Sequence, residues 1–219
     1  NNPIAVILGN VELMKMELQE NDLDLDEEIQ SICEQVDRVR SITSSLLQYS
    51  RNGGTQDALS FQNVNDIVKE GITLVKTGSN AKDIHFITYL SASNSVECNR
   101  NQLLQIIVNL IINAVHAMSS KGVVNIFTED WLTDNQPVGV FINIQDKGCG
   151  IAPENLSSIF DPFFTTKDDG TGLGLSVSQN LISNIGGSIK VKSILGSGST
   201  FSIYIKTNVD TAPMQENHL

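Results

Sequence analysis

Positive charge is scarce in this chain. Its 219 residues hold 14 Lys and Arg against 25 Asp and Glu, a formal net charge of −11. That balance excludes nucleic acid or an anionic membrane surface as the main partner. A polyphosphate bound to such a chain must be held locally, by backbone amides, a few cations and Mg²⁺. Cysteine is also scarce. Cys33, Cys98 and Cys149 are odd in number and match no metal-ligand spacing. They read as reduced cytosolic thiols rather than a disulfide framework. Long apolar runs are absent as well. The longest, 103–117, is interrupted by Gln105, Asn109 and Asn113, and a membrane helix needs about 18 uninterrupted apolar residues. No segment reads as a signal peptide, an internal repeat or a low-complexity tract. The chain opens without Met, in what reads as the middle of a helix. It is therefore expected to be a cytoplasmic piece of a longer protein, whether or not that protein is membrane-anchored.

What is present divides into two patterns. Residues 1–52 carry two amphipathic helical runs. One contains Ile4, Ile7, Leu8, Val11, Met14 and Leu18, and the other runs from Ile29 to Leu47. Pro3 suits a first helical turn, and a polar connector, 20–26, joins the runs as an antiparallel hairpin. A lone hairpin cannot bury both apolar faces, so pairing with a second copy as a four-helix bundle is expected. The alternative is a hairpin packed on its own domain. After a linker around Asn52, Gly53 and Gly54, residues 58–207 change character. Helices are expected at 64–75, 101–118 and 175–185. Strands are expected at 84–90, 123–128, 138–145, 188–193 and 200–206. Without strict βαβ alternation this is an α+β fold, a mixed sheet covered on one face by helices. The tail, 208–219, is polar and expected to fray.

Two glycine-rich stretches carry the most chemical information. Asp146-Lys147-Gly148-Cys149-Gly150 follows a strand, and Gly170-Thr171-Gly172-Leu173-Gly174-Leu175 runs into a helix. Glycine admits positive φ and close backbone approach, and a helix N-terminus is an anion site. Asp146 can accept from an exocyclic amine, which favours adenine; alone, a strand ending in Asp-x-Gly is as readily a turn. Asn109 and Asn113 share one helical face. Amides on a greasy helix are costly to bury without partners, and their carbonyls suit Mg²⁺; the alternative is a solvent stripe. Between the stretches lies Phe160-Asp161-Pro162-Phe163-Phe164-Thr165-Thr166-Lys167. Its phenylalanines suit the anchor of a mobile lid, with Thr165, Thr166 and Lys167 toward phosphate. Gly196-Ser197-Gly198 is a tight turn into the last strand.

Taken together, these stretches resemble the ATP-binding domain of two-component sensor histidine kinases. The N box is Asn109 to Asn113. The three glycine boxes start at Asp146, Gly170 and Gly196, and the F box spans Phe160 to Phe164. All lie in family order over 60–206, a far more specific match than any lone glycine loop. The hairpin resembles the family's dimerisation and phosphoacceptor domain, with Asn1-Asn2-Pro3 as the end of a His-Glu-x-x-Asn-Pro box. The phosphoacceptor His would then fall three residues before Asn1.

The resemblance implies a helical hairpin followed by a two-layer sandwich of the GHKL (Bergerat) type, ATP and Mg²⁺ as cofactors, a homodimer, and a response regulator receiver domain as partner. It implies Asn113 as the Mg²⁺ ligand assisted by Asn109, Asp146 at adenine N6, and Gly148 and Gly150 shaping the pocket. Thr200 would support Asp146. Gly170, Gly172 and Gly174 would wrap the phosphates, with Lys167 as lid cation. Ile151, Phe160, Thr165, Thr166, Thr171, Leu173 and Leu175 complete the nucleotide-contacting set. His116 falls where many members place a phosphate-contacting Lys, and Lys147 departs from the small or polar residue usual there. Asn2 matches an amide that orients water for phosphatase action. The chain's own histidines, His85, His116 and His218, do not replace the acceptor, so it is expected to bind ATP analogues without labelling itself. Two rivals remain. The related ATPases place a Glu where Asn109 stands, and a dimeric scaffold without turnover would show no nucleotide binding. A serine-kinase or anti-sigma-type member of the fold fits the Asn-Pro hairpin start poorly.

Overall fold

A computed structural model describes residues 59–78, 83–119, 121–167 and 170–207, together with Val11, Met14, Ile29 and Ile32. Those four isolated positions are helical; Val11 and Ile29 are buried, Met14 and Ile32 exposed. The rest of the expected hairpin, Asn2 within it, the linker and the tail lie outside the described residues. The chain divides into two compact units. One comprises 1–55 with the loop Phe163–Leu173, and the other comprises 56–162 with 174–219.

The larger unit is built on a mixed sheet. Its strands are β2 (Asp83–Leu90), β4 (Lys121–Thr133), β5 (Gln136–Gln145), β6 (Ser188–Ile194) and β7 (Gly198–Lys206), in the order β2-β4-β5-β7-β6. β2 lies parallel to β4, and the other pairs are antiparallel. A separate antiparallel ribbon joins β1 (Ser60–Asn63) to β3 (Ser95–Cys98). The described helices are α1 (Val64–Gly78), α2 (Arg100–Ala117) and α3 (Gly174–Asn184). Helices and larger strands follow the expected places within three residues at their ends, except β4, which runs five residues past the expected Thr128. β1 and β3 were not foreseen, and neither was the 3₁₀ turn Pro153–Asn155.

Period-2 alternation explains the sheet. Along β5, Val140, Ile142 and Ile144 are buried while Phe141, Asn143 and Gln145 face the other way, half-buried. β7 repeats this with Phe201, Ile203 and Ile205, so the apolar halves of adjacent strands form one continuous face. Ile106, Ile107, Leu110 and Ile111 of α2, each at 0% exposure, supply the opposing layer. Fully burying such a side chain is worth about 1.5–3 kcal/mol. This stripe fixes the rotation of α2 about its axis, and with it the direction of the polar positions on the same helix. Asn99 starts the helix: its side chain accepts from the Gln102 N–H at 3.0 Å, satisfying one donor of the first turn. Arg100 pairs with Glu70, tying α2 to α1.

The opposite sheet face gathers much of the chain's aromatic content. Tyr89 stacks on Phe127, and Phe141 meets Trp131 on one side and Tyr204 edge-on at the other. Cys98 ends β3 in the core, where burial pushes its thiol up to about 11. Cys149 is exposed.

Candidate functional site

α2 sets the first part of the site. Asn109, Asn113 and His116 recur at helical spacing, so they form one stripe. Asn109 and Asn113 are half-buried and His116 is exposed. Asn109 is held from α3: its Nδ2 donates to Ser178 Oγ at 2.9 Å. The Ser178 hydroxyl in turn donates to the Gly174 carbonyl at 2.9 Å. Ser178 is buried, at 2% exposure.

Asp146 stands where β5 ends, and only 3% of it is exposed. Two backbone N–H groups converge on its Oδ1, from Gly148 at 2.8 Å and Ser199 at 3.3 Å. Burial raises the carboxyl above its ordinary value, and the Gly148 and Ser199 N–H groups act in the opposite direction. The pocket therefore keeps an acidic acceptor at the cost of desolvation.

The first and third glycine stretches are interlocked. Gly196 N–H donates to the Cys149 carbonyl at 2.7 Å, and Asp146 N–H to the Ser199 carbonyl at 2.9 Å. Gly198 has φ +105°, and a Cβ there would collide with the Asp146 carbonyl oxygen. Only glycine satisfies both demands. Ser193, on β6, joins the pieces. Its Oγ accepts from the Ile151 N–H at 2.8 Å, donates toward the Gly198 carbonyl at 3.0 Å, and lies 2.9 Å from Ser199 Oγ. The other side of the loop rests on the last turn of α2, where Cys149 N–H donates to the Ala117 carbonyl at 3.0 Å. Asp146, Gly148, Gly150 and Ile151 are thus brought to the C-terminal end of the helix that carries Asn109 and Asn113.

Two details differ from the sequence reading. The residue on β7 that reaches Asp146 is Ser199, through its N–H. Thr200 pairs instead with Gln145 and Lys192 across the sheet, on the side opposite Ser199 and Phe201. The Ser199 N–H is thus a support for Asp146 that the sequence reading did not include. In the phenylalanine segment, Ile159 is the buried residue, Phe160 and Phe164 are half-buried, and Phe163 is 64% exposed at φ +69°. Phe163 is not a core anchor. Lys147 is exposed, in keeping with a side chain directed to solvent. Leu175 is half-buried in the first turn of α3.

The loop Phe163–Leu173 belongs to the other unit and is closed upon itself. Phe163 N–H donates to the Gly172 carbonyl at 2.9 Å, pinning the neck. Within it, Lys167 N–H donates to Thr165 Oγ1 at 3.1 Å, Gly170 N–H to the Lys167 carbonyl at 3.2 Å, and Leu173 N–H to Thr171 Oγ1 at 3.4 Å. Thr165, Thr166 and Lys167 are exposed, whereas Leu173 is buried. Such a loop holds a short run of hydroxyls and one cation at its tip.

Ser178, Ser193 and Ser199 were not foreseen. Each is a small hydroxyl residue whose neighbours in space are remote in sequence. Only Ser199, next to a glycine turn of the motif set, carried a usable signal.

A buried carboxylate, an amide-bearing helix face and interlocked glycine turns are the parts of one known architecture. The profile of the histidine kinase-, DNA gyrase B- and HSP90-like ATPases matches residues 98–209, and that of the His kinase A (phospho-acceptor) domain matches residues 1–55. The chain belongs to the sensor histidine kinases. It is similar to the sensor histidine kinase ZraS of Salmonella typhimurium, 37% identical over 177 residues, covering 80% of this chain and 37% of that protein. It is 36% identical over 210 residues to the signal transduction histidine-protein kinase AtoS of Escherichia coli, covering 94% of this chain and 33% of AtoS. The chain thus spans about a third of the length of these relatives. Among solved structures, the nucleotide-free catalytic domain of histidine kinase ThkA superposes with a TM-score of 0.62 at 29% identity, covering 70% of this chain and 98% of that one. A second ThkA structure, in complex with response regulator protein TrrA, gives 0.69 at 26% identity, covering 95% of this chain and 59% of that one. These kinases share with the chain a sheet-and-helix catalytic domain of GHKL type.

Proposed function

We propose that this sensor histidine kinase chain binds Mg²⁺-ATP and supports transfer of the γ-phosphoryl group to a histidine, and from there to an aspartate of a response regulator. The carrying observation is Asp146: a buried carboxylate whose Oδ1 is fixed by two N–H groups. Oδ2 is the oxygen left to meet a donor such as the adenine amine. A base with a carbonyl at that position would set oxygen against oxygen, so adenine is preferred over guanine. Gly148 and Gly150 shape the floor beneath the base, and Ser193 and Ser199 hold the loop in place.

Asn113 and Asn109 fit Mg²⁺ by the chemistry of their donors. They present amide oxygens on one helix face, and Mg²⁺ takes oxygen ligands while retaining waters and substrate phosphate. When bound, the ion neutralises charge on the transferring phosphate. The chain's residues do the positioning: the α2 stripe meets the phosphate end, and the N-terminus of α3 offers backbone N–H groups to it. Lys167, with Thr165 and Thr166, is the lid group for the outer phosphates. In the transfer, the bond between the γ-phosphorus and its bridging oxygen breaks, a phosphorus–nitrogen bond forms, and ADP leaves.

Residues 1–52 act as the dimerising and phosphotransfer hairpin, 58–207 as the ATP-binding domain, and 208–219 as a flexible tail. Asn2 serves as the phosphatase amide. Support for the hairpin comes from the His kinase A profile over 1–55, and for the partner from the ThkA complex with TrrA. No helix among the described residues is long and apolar enough to cross a membrane; the cytoplasm is the proposed location.

Calorimetric titration with a non-hydrolysable ATP analogue tests this reading. Binding is expected in Mg²⁺ and much weaker in EDTA. No heat and no shift in melting temperature at saturating analogue would favour a scaffold instead.

A further inference from the structure

Two side chains and one backbone carbonyl in the larger unit form a one-way hydrogen-bond chain: Asn109 to Ser178 to Gly174 O. A carbonyl can only accept, so the Ser178 hydroxyl commits its single hydrogen to Gly174 O. The hydroxyl oxygen is then an acceptor for Asn109, and the group facing it must be Nδ2. The Asn109 amide is thereby held with its oxygen on the other side. A Cβ built on Gly174 would collide with that Oδ1, which places the oxygen beside the first residue of α3. The N-terminus of a helix carries partial positive charge and favours an oxygen there over an amino group. Every donor and acceptor in the set agrees on one orientation.

We infer, on the nucleotide reading above, that Ser178 is a positioning residue for the metal–phosphate end of the site. It fixes which end of the Asn109 amide is presented. An Asn side chain is nearly symmetric in shape, and its two ends are opposite in chemistry. With Nδ2 turned outward, Asn109 would present a donor where an oxygen is needed beside Mg²⁺. Ser178 removes that option without touching ligand. Its place inside α3, at 2% exposure, makes it independent of solvent. Groups that orient a ligating side chain typically change metal affinity about 10–100-fold when removed.

The test uses the chain as it stands. Ser178→Ala removes the hydroxyl from a helix interior where Ala is a better helix former. Affinities are measured for the ATP analogue in Mg²⁺ and in EDTA, and for adenosine, which lacks phosphate. The ratio of the first two is expected to fall about tenfold in Ser178→Ala, with adenosine affinity unchanged. Ser178→Thr, which keeps a hydroxyl, is expected to retain the wild-type ratio. In the metal-free protein, the Asn109 side-chain amide resonances should shift and exchange faster with solvent in the Ala variant only. An unchanged ratio in Ser178→Ala overturns the proposal. So does a parallel loss of adenosine binding, which would mark a merely structural role, or a folded Thr variant with the Ala ratio. Wild-type protein that binds no analogue at all would overturn the nucleotide reading itself, a distinct outcome.

Discussion

Asp146 carries an opposition between stability and binding. Burial raises its carboxyl above the ordinary value. A carboxyl whose folded value lies above its unfolded value contributes stability that is present below the unfolded value and is lost as pH rises through the folded one. The ionised form is therefore a liability at neutral pH. Asp146→Asn can keep both bonds, from Gly148 and Ser199, on its oxygen. It removes the charge and turns an amino group toward the base. Thermal melts should favour the Asp146→Asn variant over wild type near pH 8, with the difference shrinking as pH falls toward 4. Binding of the ATP analogue should drop at least about tenfold, because a donor then faces the adenine amine. Greater stability of wild type at pH 8 would contradict the assignment of burial as the dominant influence.

Between elements, what matters is how the turns are stitched together. β6 and β7 are joined by a turn whose backbone folds over the first glycine loop, and Ser193 supplies the fastening. Ser193→Ala leaves the Ile151 N–H without its partner and frees Ser199 Oγ. Each such loss costs about 1–3 kcal/mol where the group stays buried. Melting temperature should fall by a few degrees, and ATP-analogue affinity several-fold. Far-UV circular dichroism should be unchanged, since no ladder bond of β6 is touched. A variant with wild-type affinity would mean that the loop is set by Gly198 and Asp146 alone. The elements themselves were readable to different depths. α2 announced itself by the Leu103-to-Val115 stripe, and β5 and β7 by alternation. β1 and β3 gave no pattern because each is four residues long and pairs with the other, Ser60 opposite Cys98. Such a ribbon depends on distant partners and short runs that no local period reveals. Thr200 and Ser199 differ for a related reason: neighbours along a strand turn their side chains to opposite faces, and the register of β7 on β5 sets Thr200 across from Gln145, while Ser199 reaches Asp146 through its backbone N–H.

For the whole molecule, the motif order legible in the sequence translates into convergence around one helix. Asn109 and Asn113 lie mid-helix on α2, the Asp146 loop rests on its last turn at Ala117, and α3 braces Asn109 through Ser178. The sequence showed which residue types belong to a nucleotide site. It did not show the serines that hold them, because a serine in a helix or strand has the same local signature whether it faces water or a buried amide. The negative net charge is consistent with the proposed function, in which phosphate would be met by backbone amides rather than by a basic field. Central to the proposed function is the pairing of adenine with Asp146 and of phosphate with the Asn stripe. The most direct measurement is a calorimetric comparison of non-hydrolysable ATP and GTP analogues, each in Mg²⁺ and in EDTA, on the wild-type chain. Mg²⁺-dependent binding of the ATP analogue is predicted, with at least about a hundredfold weaker binding of the GTP analogue. Equal affinity for the two, or binding indifferent to Mg²⁺, would contradict that pairing.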